Sequence, residues 1–147
     1  MSGWLRTVGV AGLFFLIAAC NGENGEKRRQ LGIAEGCDAA VTTCFVREGS
    51  ITISLKMGPG VTPLQPFPLT LAITGEKNAV EKVLVDFQMQ GMDMGSNRYR
   101  LEPQQGVWQG RVTLPMCMAS RMDWRAIIEF MVDGEPVQVG FPFHTEG

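Results

Sequence analysis

The chain is 147 residues long with a formal net charge of −2. That balance offers no basic surplus to neutralise a phosphate backbone, so nucleic acid is not an expected partner. A hydrophobic share of 45% suits a folded core and argues against a disordered chain.

Taken in chain order, the first expectation concerns export. Arg6 precedes an apolar run from Val8 to Ala19, and the small residues Ala18 and Ala19 lead directly into Cys20. The run is short for a membrane span and has the layout of a secretory signal peptide over 1–19. Small residues before a cysteine resemble the bacterial lipobox, which makes Cys20 the expected lipidation site and new N-terminus. The expected location is the bacterial cell envelope, with the chain tethered to a membrane through its lipid and facing the periplasm. "NGENGEKRRQLG", 21–32, reads as a polar leash. The expected organisation is a lipidated N-terminus and tether over 20–36, then one domain over 37–147.

Cys37, Cys44 and Cys117 stay in the exported part, an odd number for an oxidising compartment. None of them pairs at the C-x-x-C spacing of a dithiol oxidoreductase. Cys37 and Cys44 are close enough in sequence to be a candidate disulfide, and a bridge from either to Cys117 stays open.

From Ser50 onward the hydrophobic period is two. Ile51, Ile53, Leu55 and Met57 alternate with polar residues, and the proline-rich "GPGVTPLQPFP" leads to Leu69, Leu71 and Ile73. Val83, Val85, Phe87 and Met89 follow, then Trp108, Val112 and Leu114. Trp124, Ala126, Ile128, Phe130 and Val132 come next, and after a "DGEP" turn Val137, Val139, Phe141 and Phe143. Half-buried strands without crossover helices predict an all-β fold, an antiparallel two-sheet sandwich of immunoglobulin-like type, with a small β-barrel as the alternative. A short helical piece is expected at most near 38–42.

The strand phases sort the methionines. Met57 and Met89 fall on the inward parity and are expected in the core, although Met89, at its strand's end, is also a further ligand candidate. Met131 has the opposite parity and is expected at the surface. Met92 and Met94 sit in "GMDMG", where glycine and aspartate mark a turn and core burial is harder. Met116, Cys117, Met118 and Met122 crowd a second irregular stretch, "PMCMASRM". A hairpin of 98–103 with 106–114 would carry these two loops to one end of the sandwich.

Cu(I) is soft and prefers thioether and thiolate donors. Thioethers need no deprotonation and cannot be lost to disulfides, which suits an exported carrier. The expected ligands are therefore Met92, Met94, Met116, Cys117 and Met118, with Met89 and Met122 as further candidates. Zinc or iron would call for Cys, His or carboxylates at recognisable spacings, and His144 is the chain's one histidine, read as a surface residue. No nucleophile elbow or phosphate loop is present, so an enzyme is not expected. A metal-free lipoprotein that docks a protein through the same Met-rich loops is the competing reading.

The stretch "GMDMGSNRYRLEP…GVWQGRVTLPMCMASRMDW" resembles small exported bacterial proteins that accompany copper handling and cytochrome oxidase assembly. The lipoprotein strand domain is also similar to YtkA-like domains and to the β-sandwich copper carriers of the periplasm. The resemblance implies a copper-delivery or assembly accessory whose partner is a copper enzyme or copper chaperone. The histidine-plus-methionine motif of the better-known carriers is missing here, which leaves Cu(I) as the implied cargo.

Overall fold

The computed structural model describes residues 27–116 and 123–145. Among these residues ten strands form two sheets. One contains β1 (Arg29–Ile33), β10 (Glu135–His144), β9 (Asp123–Val132), β5 (Val80–Met89) and β6 (Arg98–Arg100), in that spatial order. The other contains β2 (Cys44–Glu48), β3 (Ile51–Met57), β4 (Phe67–Thr74), β8 (Val107–Val112) and β7 (Glu102–Gln104). All pairings are antiparallel except β1 with β10. The run β3-β4-β8-β7 facing β10-β9-β5 is the strand order of the immunoglobulin sandwich, with β1, β2 and β6 added at the margins. The sheets do not close on each other, so the small barrel is ruled out.

The two-residue period explains the burial. Ile51, Ile53, Leu55 and Met57 are all buried on β3, as are Val83, Val85, Phe87 and Met89 on β5. Tight turns keep the register. Asp133–Gly134 joins β9 to β10, and Gln105–Gly106 joins β7 to β8, each with positive φ at both residues. That is the primed turn whose twist matches the strands it connects. Phe87 ties the layers together, with edge-on contacts to Phe67 of the opposite sheet at 6.1 Å and to Phe143 at 5.9 Å. A fully buried phenylalanine contributes roughly 1.5–3 kcal/mol of burial, and aromatic pairs add about 0.5–1.5 kcal/mol beyond it.

Three expectations change against this frame. The folded part begins earlier than residue 37, because "RQLGI" is a strand paired with β10 and only the residues before it can act as leash. No helix forms near 38–42; there the N–H groups of Val41 and Thr42 both donate to the Asp38 carbonyl, closing one isolated turn. The hairpin is also shorter than expected. Residues 102–104 pair with β8, while 98–100 pair with β5 in the other sheet. The chain changes sheets at the buried Leu101, whose N–H donates to the Val83 carbonyl.

Cys37 and Cys44 are bonded to each other, with their Cα atoms 5.8 Å apart. That takes both out of any bridge to Cys117. The disulfide closes the loop before β2 and does not join the two sheets.

Candidate functional site

The Met-Gly loop is built on the end of β5. Met89 points inward, is 3% exposed, and pairs with Trp124 at the start of β9. Just beyond, the Met92 N–H donates to the Met89 carbonyl at 3.3 Å, so the chain reverses at once. Gly91 and Gly95 both adopt positive φ, which glycine accepts without strain. Between them Asp93 Oδ1 accepts the Gly95 N–H at 2.9 Å, the side-chain turn that an aspartate in this setting favours.

The return of the loop is fixed by Asp86, which is only 5% exposed. Its Oδ1 accepts the Asn97 N–H at 3.1 Å. Its Oδ2 accepts from Gln88 Nε2 at 3.2 Å and lies 3.5 Å from Arg98 Nε. Asn97 in turn donates from Nδ2 to the Met94 carbonyl at 3.0 Å and accepts the Phe87 N–H at 3.2 Å. Both arms of the loop are thus hydrogen-bonded to strand residues. Alternation alone marks Asp86 as one more solvent-facing polar residue. Its burial depends on Arg98 and Asn97 folding back over it, which no local pattern announces.

This framework shapes a shallow hollow of about 220 Å³ lined by Gln88, Met89, Met92, Asp93, Met94 and Gly95. Met92 is 39% exposed, while Met94 is half-buried against the core. Three thioether-bearing residues therefore share one hollow, in graded exposure from core to solvent. Met89 belongs both to the core, as its parity requires, and to the hollow wall.

The second methionine segment leaves β8 at the same end of the sandwich. Tyr99 Oη donates to the Thr113 carbonyl at 2.7 Å, and β9 begins beside the end of β5. Met116 is 62% exposed. Cys117, Met118 and Met122 lie outside the described residues. Of the second segment, only its exit from β8 through Thr113–Met116 is described, at the end of the sandwich that carries the Met-Gly loop, and the 98–114 hairpin expected to bring the two loops together is split between the sheets.

His144 is also at this pole, and it is engaged. Its Nδ1 lies 3.0 Å from Asp38 Oδ2, while Asp38 Oδ1 accepts the Ala40 N–H at 3.0 Å. Among the described residues no three His, Cys, Asp or Glu side chains gather as a metal-holding group. The soft donors that do gather are methionines. No protein-family model, curated protein or solved structure matches the chain. The pole is therefore read from its own chemistry.

Proposed function

We propose that this protein is a lipid-anchored Cu(I)-binding protein of the bacterial envelope. It delivers copper to a copper enzyme such as cytochrome oxidase or assists its assembly. The observation that carries the reading is the single hollow lined by Met89, Met92 and Met94. Cu(I) prefers soft, neutral sulfur donors, and a thioether set binds it without releasing a proton. The exposure of Met92 favours transfer over storage, since an incoming ligand can reach the metal as a thioether leaves. Met116, Cys117, Met118 and Met122 of the neighbouring segment are the further donors in this proposal. Lipidation at Cys20 supplies the membrane attachment.

The test is Cu(I) competition against a chromogenic chelator under anaerobic, reducing conditions, run on the wild type and on Met92→Leu/Met94→Leu. One equivalent bound by the wild type and lost in the variant is the expected result. Leucine is nearly isosteric with methionine, so the fold should survive the change. A wild type that leaves all the copper with the chelator overturns the proposal.

A second reading has its own observation. Leu64 is 56% exposed, and its N–H donates to the Leu114 carbonyl, which brings a further exposed apolar residue close to Met116. Such a surface also suits docking of a protein without metal. A wild type that binds no copper yet retains these apolar residues at its surface would favour it.

A further inference from the structure

The sandwich has two poles, and the chain joins it at the one opposite the Met-Gly loop. Arg29 of β1 pairs with Val137 near the start of β10, while Phe143 near the end of β10 pairs with Trp124, the partner of Met89. Six residues along β10 separate Val137 from Phe143, a rise of about 20 Å at ~3.3 Å per residue. A hollow lined by Arg29, Glu76, Asn78, Val132, Asp133, Glu135 and Val137 marks the first pole. Arg28 is fastened there too, with Nη1 3.2 Å from Glu129 Oε1, so the leash ends at that residue.

We infer that the Met hollow faces away from the anchoring bilayer. Its exchange partner is then a Cu(I)-carrying domain in the aqueous phase, and not a metal site embedded in the membrane. The inference rests on the proposed function, both for the lipid at Cys20 and for copper at the methionines. Eight residues lead from Cys20 to Arg28, and whatever their conformation they reach at most about 29 Å. Set against the strand rise of about 20 Å, an upright domain holds the hollow about that much farther from the bilayer than Arg28, and only a domain tipped onto its side or inverted brings Met92 to the headgroups. The exposed side chains of Leu64, Met92 and Met116 then form the contact surface for that aqueous partner.

The experiment uses the lipidated full chain in phosphatidylethanolamine–phosphatidylglycerol vesicles that carry an acceptor dye on their headgroups. A donor dye is attached at Lys77→Cys, in the turn at the first pole, or at Ser96→Cys, in the Met loop, each in a Cys117→Ser background. Donor emission at residue 77 should fall several-fold more than at residue 96. Equal loss, or greater loss at 96, overturns this inference and leaves the anchor reading standing. No loss at either position overturns the lipid anchor and the inference with it. On the same vesicles, wild-type chain loaded with Cu(I) should yield its copper to a membrane-impermeant sulfonated chelator as fast as detergent-released chain does. Markedly slower release from vesicles overturns the aqueous-partner claim. A chain that takes up no copper sinks the proposed function, and this inference too, even where the dyes report the expected orientation.

Discussion

Asp86 and Met92 serve the same loop in opposite ways, one holding its return and the other lining its hollow. Asp86→Ala removes the acceptor of the Asn97 N–H and leaves Arg98 and Gln88 without that carboxylate. An unsatisfied group of this kind costs roughly 1–3 kcal/mol. The Arg98 contact adds little, because the guanidinium is partly in water. Urea unfolding should register about 2 kcal/mol of destabilisation by that same reasoning. Asp86→Asn, which keeps Oδ1 as an acceptor, should lose clearly less. Both variants should weaken Cu(I) binding by loosening the Met loop. Unchanged affinity in Asp86→Ala would show that the hydrogen bonds shape the loop without shaping a site. Met92→Leu/Met94→Leu should do the reverse, losing copper while its unfolding free energy stays within about 1.5 kcal/mol of wild type.

At the scale of elements, the change of sheet at Leu101 is the most exacting joint. A Cβ placed on Gly110 would lie 2.8 Å from Leu101 Cδ2, inside any real contact distance. Gly110→Ala should therefore cost about 1–3 kcal/mol through overpacking, read as a lowered denaturation midpoint. An unchanged midpoint would mean that Leu101 has room to move. The disulfide is a separate clamp on the loop before β2. Its half-cystines are 7 apart in sequence, and the chain-entropy argument gives about 2.5 kcal/mol for a ring of that size. Cys37→Ser/Cys44→Ser should unfold at correspondingly lower denaturant, with no change in copper stoichiometry. These elements also show what a sequence can and cannot disclose. Six strands, β3, β4, β5, β8, β9 and β10, announce themselves through alternation, because each turns one face to the core. β1 does not, since "RQLGI" is short and its pairing partner lies more than a hundred residues away. β6 and β7 read as one strand, because the break at Leu101 preserves the alternation while the two halves pair with different sheets. The Met loop was legible from glycine and aspartate among thioethers. The Asp86 and Asn97 bonds that shape it were not.

At the scale of the whole molecule, an immunoglobulin-order sandwich puts the Met-Gly loop and the entering strand β1 at opposite poles. In Cys117→Ser, where only thioethers remain as donors, the far pole should bind Cu(I) with an affinity that hardly changes between about pH 5 and 8, because no donor must lose a proton. A steep loss on acidification, measured by the same chelator competition, would point instead to ligands that titrate. The central claim is that sulfur from methionine holds the metal, and it is tested most directly by X-ray absorption at the copper edge on the Cu(I)-loaded full chain. The account predicts a first shell made of sulfur alone, thinned in Met92→Leu/Met94→Leu. A shell of nitrogen or oxygen, or one unaltered by that double substitution, would contradict it.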